Sequence, residues 1–140
     1  MFEDNVLANS SIKAKPSIKK NPKALIGYSD VTALNQAIHY QSRMVGFHGP
    51  VAASTFTDYT RKSFEDIVMK GLTPTYHLSE ENQEKAKEDK SYEPYVITPG
   101  RATGHLLGGN LSLLSSLAGT DFEMYVDGQL IFIEDVGEKP

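Results

Sequence analysis

Lys23-Ala-Leu-Ile-Gly-Tyr-Ser-Asp-Val-Thr-Ala-Leu34 reads as a short buried strand, a tight turn with Ser29 at its tip, and the opening of a helix. The apolar run Ala24, Leu25, Ile26 is too short for a helix and suits a central strand. Gly27 supplies the backbone freedom that a sharp reversal needs. Val31, Leu34 and Ile38 recur at helical spacing, with Ala37 beside Ile38, and predict one apolar helix face. Two readings of Ser29 are open. Ser29 or Asp30 can cap the helix, because either side chain can accept a hydrogen bond from a free first-turn N–H. Alternatively the turn is a nucleophile elbow, which lifts Oγ above the sheet and lets the next backbone N–H face a developing oxyanion. The second glycine of the usual elbow motif is absent.

Outward from this stretch, Met44-Val-Gly-Phe47 reads as a second short strand, ended by His48-Gly49-Pro50. His48 lies where binding residues often sit in open α/β sheets, or is simply bonded within its turn. Residues 1–22 are polar and aperiodic, with Lys13, Lys15, Lys19 and Lys20, and read as an irregular lead-in with a helical turn near Ile18 to Lys20. Its lysines are a solvated run or a patch for an anionic partner. Thr57 to Lys70 predicts an amphipathic helix with Phe64, Ile67 and Val68 as its stripe and Gly71 as its stop. Thr75 to Leu78 is a candidate strand. The polar segment Ser79 to Lys90 is an exposed helix end or a linker and marks the best domain boundary.

Tyr95 opens the second block. Pro99-Gly100 is a turn, and Gly104 to Asn110 reads as another, with Gly108-Gly109 letting the backbone pass close to a segment or ligand. A phosphate loop is disfavoured, since the lysine and spacing of a Walker motif are missing. His105 reads as a turn or surface residue. Leu111, Leu113, Leu114 and Leu117 form an apolar helix ended by Gly119. Phe122 to Val126 and Gln129 to Glu134 read as two strands of a hairpin turned by Asp127-Gly128. The second, Leu130-Ile-Phe-Ile133, is solidly apolar and therefore central. It runs into Glu134-Asp135, acids that are costly at a buried strand end unless paired, solvated or used.

With 140 residues the chain can bury a sizeable core. A net charge of −4 without a dense basic cluster argues against nucleic acid, and no cysteine means no disulfide or thiolate chemistry. Acids at the N-terminus argue against a signal peptide, and no stretch reaches membrane-spanning length. A soluble, cytoplasmic α/β protein is the expectation.

Four blocks carry a resemblance: Asn21 to Leu34, Phe47-His-Gly-Pro50, Gly108-Gly-Asn-Leu-Ser-Leu-Leu114 with Gly119-Thr120, and Gly128-Gln-Leu-Ile-Phe-Ile-Glu-Asp-Val-Gly-Glu138. In that order they closely resemble the LD-carboxypeptidases, a serine peptidase family that includes the microcin-immunity peptidases. The resemblance implies a cofactor-free hydrolase with a Ser-Glu-His triad and no metal. It puts Ser29 on the nucleophile, Glu134 on the triad acid and the Asp30 backbone N–H on an oxyanion-hole donor. It implies a peptide substrate, a murein tetrapeptide that loses its terminal D-alanine, or an antibiotic peptide-nucleotide. The fold it implies is α/β: a truncated Rossmann-like or flavodoxin-like N-terminal domain, then part of a mainly β, swivelling C-terminal domain. On this chain the division is 1–78, a linker at 79–94, and 95–140.

The departures are equally specific. Family members are longer, with strands and a glycine-rich oxyanion loop ahead of the elbow. None of His39, His48, His77 and His105 matches the triad histidine, and His48 falls on a separate family block. The chain resembles an internal piece, inactive alone, with cut sheet edges. Its partners are then a complementing chain, as with a split gene, or a homodimer. The other reading is a non-catalytic remnant. A self-sufficient enzyme with His48 as base has no spacing rule in its favour.

Overall fold

The computed structural model describes residues 17–137, and helix is already present over 17–20. The remainder of the lead-in, with Lys13 and Lys15, lies outside the described residues. The chain groups into two compact units, one of residues up to Ser54 with those from Thr103 on, the other Thr55–Ala102.

The first unit uses one device twice: two parallel strands joined by a helix. Strand β1 (Ile26–Gly27), helix α1 (Val31–Ser42) and strand β2 (Phe47–His48) form the first, with Ile26 opposite Phe47 and Gly27 opposite His48. Parallel strands cannot be joined by a tight hairpin, so the helix supplies the crossover. Arg43 closes α1 in the left-handed region at φ 59°. Within the same unit come strand β3 (Leu106–Asn110), helix α4 (Leu111–Leu117) and strand β4 (Leu130–Glu134), with β3 and β4 parallel and in register from Leu106–Leu130 to Asn110–Glu134. Helix α1 packs on β3 and α4. The architecture is mixed α/β with parallel sheets.

The second unit holds α2 (Asp58–Phe64), a π-helical turn (Glu65–Met69), α3 (Glu80–Glu88) and a 3-10 turn (Lys90–Tyr92). The predicted amphipathic helix is therefore present, and Gly71 at φ 65° ends it. Thr57 caps α2 by accepting from the Thr60 N–H at 3.2 Å, and Ser79 caps α3 through the Asn82 N–H at 3.2 Å. Asp66 accepts from Lys62 and from Lys70 (2.9 Å), and these two cations hold its carboxyl below the usual aspartate range.

Four expectations are corrected. Leu106 to Asn110 is a strand and not a turn, because its glycines are demanded by distant neighbours. A Cβ on Gly108 would stand 1.7 Å from the Phe132 carbonyl oxygen, and one on Gly109 would stand 2.6 Å from Thr32 Cγ2. The Asp127-Gly128 turn exists, with Gly128 at φ 70° and the Gln129 N–H on the Val126 carbonyl at 3.1 Å, but it joins no hairpin. Residues 122–126 are not a strand, since Glu123 turns back to accept the Gly119 N–H at 2.7 Å. Residues 75–78 are irregular. The buried stripe of α1 is the polar one, Thr32, Gln36 and Ser42, while Leu34 on the apolar face is 56% exposed. Among the described residues no apolar side chain is fully buried.

Candidate functional site

Ser29 sits between β1 and α1 with φ 54°. A non-glycine residue in the left-handed region costs on the order of 1–3 kcal/mol, and such strain concentrates at functional turns. The cap reading of the turn is corrected. Asp30 occupies the N-cap position, but neither it nor Ser29 gives α1 a side-chain cap. The first-turn donors are served by backbone instead: Val31 N–H to the Tyr28 carbonyl (3.2 Å), Thr32 N–H to Ser29 (2.9 Å), Ala33 N–H to Asp30 (3.1 Å). That leaves the Ser29 hydroxyl exposed, and the Asp30 N–H donates to no protein acceptor among the described residues. Gly27 is needed here for space and not for turning: it lies in β1 without a positive φ, and a Cβ would meet Val31 Cγ2 at 2.7 Å, while the reversal falls on Ser29.

Glu134 ends β4, half-buried and directly opposite Asn110. Its Oε2 accepts from Asn110 Nδ2 at 3.2 Å. Asn110 in turn donates its backbone N–H to Thr32 Oγ1 at 3.0 Å, and its Oδ1 caps α4 by accepting from the Leu113 N–H at 3.2 Å. Thr32 is 1% and Asn110 8% exposed, so water does not compete for the bond between them. A polar chain thus runs from the first turn of α1, through Thr32 and Asn110, to the Glu134 carboxylate. Thr32 and Asn110 are the residues that sequence reading missed. The available signal was Asn110 itself, an N-cap residue type placed directly before an apolar helix.

The histidines lie elsewhere. His48, at the end of β2, sets its ring edge-on to Phe132 with centroids 5.2 Å apart. His39 Nδ1 lies 3.2 Å from the Met44 carbonyl oxygen, and the His105 carbonyl accepts the Leu130 N–H at 2.9 Å. His39, His48 and His105 share a cavity of about 370 Å³ with Gln36, Leu107 and Phe132, which neither Ser29 nor Glu134 lines. His77 lies in the second unit. Among the described residues no three His, Asp or Glu side chains come together to hold a metal ion, and no helix is long and apolar enough to cross a membrane.

Two family models match the chain: the LD-carboxypeptidase N-terminal domain over residues 8–49 and the LD-carboxypeptidase C-terminal domain over 103–140. Both matches fall in the first compact unit. Among curated proteins the chain is similar to the probable murein peptide carboxypeptidase of Bacillus subtilis, 39% identical over 123 residues covering 88% of this chain and 36% of the relative. It is also similar to the microcin self-immunity protein MccF of Escherichia coli, at 30% identity with 85% and 40% covered. Among solved structures, an MccF-like protein from Bacillus anthracis superposes with a TM-score of 0.60 at 31% identity, over 84% of this chain and 40% of that one. The chain therefore spans less than half the length of these relatives.

Proposed function

The chain belongs to the LD-carboxypeptidase family of serine hydrolases, and from that premise we propose that it is the nucleophile-bearing part of a serine carboxypeptidase acting on murein tetrapeptides. In this reading Ser29 Oγ attacks the carbonyl carbon of the terminal L,D bond. The Asp30 N–H donates a hydrogen bond to the oxyanion, D-alanine leaves as the amine, and water then cleaves the acyl group from Ser29 Oγ. Glu134 orients and charge-stabilises the histidine that takes the Ser29 proton and returns it to the leaving group. In this reading that histidine is none of His39, His48, His77 and His105 and belongs to the part of the family fold that these 140 residues do not span. The fold domains run 1–78 and 95–140 around a 79–94 linker, the first a partial Rossmann-like or flavodoxin-like sheet and the second part of a mainly β domain. The setting is cytoplasmic wall recycling.

The observation that carries the reading is the strained, uncapped Ser29 turn with a free N–H after it. A helix cap has no use for φ 54° at that position; a nucleophile elbow does. The Thr32–Asn110–Glu134 chain supports it further by tying the candidate acid to the elbow helix. Without its base, the serine hydroxyl stays unactivated, and loss of a triad member costs on the order of 10³-fold or more in rate. Purified chain incubated with murein tetrapeptide is expected to release no D-alanine above a Ser29→Ala control. Serine-dependent release by these 140 residues alone would overturn the assignment of the base outside them. The second reading is a non-catalytic remnant. It is separated from the first by whether adding the missing segments restores release.

A further inference from the structure

We propose that Asp127 is a site of spontaneous backbone modification, at which aspartate passes through a cyclic imide to isoaspartate and so uncouples the start of β4 from β3. The inference concerns the turn ahead of β4 and stands apart from the hydrolase reading. Asp127 is the one aspartate or asparagine of the chain that a glycine follows. Ring closure needs the next backbone nitrogen to reach the carboxyl carbon, and a side chain on that next residue crowds the approach. Gly128 stands at φ 70°, with nothing within 4 Å of where a Cβ would lie. Its N–H donates to no acceptor among the described residues, so no hydrogen bond has to break before the nitrogen attacks. Both residues are exposed, and solvent water reaches the turn.

Two neighbouring side chains promote the step. Tyr125 donates its O–H to Asp127 Oδ2 at 3.2 Å, and Gln129 Nε2 donates to the Asp127 main-chain carbonyl at 3.4 Å. The first sets a proton donor on the oxygen that has to leave. The second draws charge from the peptide group whose nitrogen attacks, which eases loss of its proton. In the step itself the Gly128 nitrogen gives up its proton and bonds to Asp127 Cγ. The Cγ–Oδ2 bond breaks, and the acid form of the carboxyl group loses Oδ2 as water with that proton. A second water then adds to the Asp127 main-chain carbonyl carbon and breaks its bond to nitrogen. Gly128 is left joined through Cγ beside a free α-carboxylate, which is isoaspartate. Addition of water at Cγ instead returns aspartate. One water leaves and one enters, and nothing is oxidised or reduced. The main chain now runs through Cβ and Cγ and is one atom longer. Just beyond the turn, the Gln129 N–H bonds the Val126 carbonyl at 3.1 Å and the Leu130 N–H bonds the His105 carbonyl at 2.9 Å. Those two bonds set the register in which Leu106 faces Leu130, and a longer turn does not keep both.

The test ages the full 140-residue chain for weeks in warm, mildly acidic buffer. Isoaspartate is located by proteolysis and electron-transfer fragmentation in a mass spectrometer, and the imide by the loss of one water. The expected result is isoaspartate at Asp127 ahead of every other aspartate, with the Leu130 amide exchanging faster in the aged chain than in the fresh one. Asp127→Glu keeps the charge, would have to close a larger ring, and is expected to remove the product. Tyr125 is 72% exposed, so Tyr125→Phe leaves the packing intact. It is expected to slow formation about fivefold, the equivalent of ~1 kcal/mol of lost hydrogen bonding. Three results would overturn the proposal: no isoaspartate at Asp127, an unchanged rate in Tyr125→Phe, or an aged chain whose Leu130 amide is as protected as before.

Discussion

Replacing Thr32 by valine keeps the shape of the side chain and removes only its hydroxyl. The Asn110 N–H, which donates to Thr32 Oγ1 at 3.0 Å, then has no acceptor. Because Thr32 is 1% and Asn110 8% exposed, water cannot take its place. A buried donor left unpaired costs about 1–3 kcal/mol. Thr32→Ser keeps the acceptor and loses the methyl that faces Gly109. Removing one buried methyl costs about 1 kcal/mol. The expected stability order is therefore wild type, then Thr32→Ser, then Thr32→Val. Urea unfolding followed by far-ultraviolet circular dichroism reads this directly. With a slope of about 1–3 kcal/mol per molar, Thr32→Val should lower the midpoint by about 1 M, and Thr32→Ser by about half that. The ordering separates the two physical contributions. If packing alone mattered, serine would be the worse substitution. A Thr32→Val variant as stable as Thr32→Ser would refute the claim that the hydroxyl is the joint between α1 and β3.

Other substitutions probe the backbone and the second unit. Ser29→Gly should raise the urea midpoint by relieving the φ 54° turn, a gain of about 1 kcal/mol, whereas Ser29→Ala keeps the strain and should not. Gly108→Ala puts a Cβ 1.7 Å from the Phe132 carbonyl oxygen and should destroy the β3–β4 pairing, seen as loss of soluble folded protein. Gly119→Ala, at φ 77° with nothing within 4 Å, should cost only about 1 kcal/mol. Lys62 and Lys70 depress the Asp66 pKa, so the stability Asp66 gives is present above the unfolded aspartate value and is lost as pH falls through the folded one. An acid titration of helicity should show this loss in the wild type, and Asp66→Asn should remove it.

Local signals in the sequence were enough for the strand, turn and helix around Ser29. An apolar triplet, a glycine and a run at helical spacing define β1, the turn and the start of α1. They could not decide between cap and nucleophile seat, because that depends on a backbone angle and on where the first-turn N–H groups go. Strand β3 was illegible for a different reason. Leu-Leu-Gly-Gly-Asn has the composition of a turn, and only Phe132 and Thr32, remote in sequence, require glycines in a strand there. The Asp127-Gly128 signal was sound as a turn and misleading as a hairpin, since the partner of β4 lies parallel and far upstream. On α1 the apolar pattern pointed to one face, yet the helix buries Thr32 and Gln36. A buried polar stripe leaves no hydrophobic period to read. Apolar residues of α1 and β4, Leu34 and Ile133 among them, stand in solvent.

The most direct measurement of the central claim is D-alanine release from murein tetrapeptide by the chain reconstituted with the flanking segments of its Bacillus subtilis relative. Release is expected from the reconstituted wild type, none above background with Ser29→Ala, and about 10⁴-fold less with Glu134→Gln. Equal release by wild type and Ser29→Ala assemblies would contradict it.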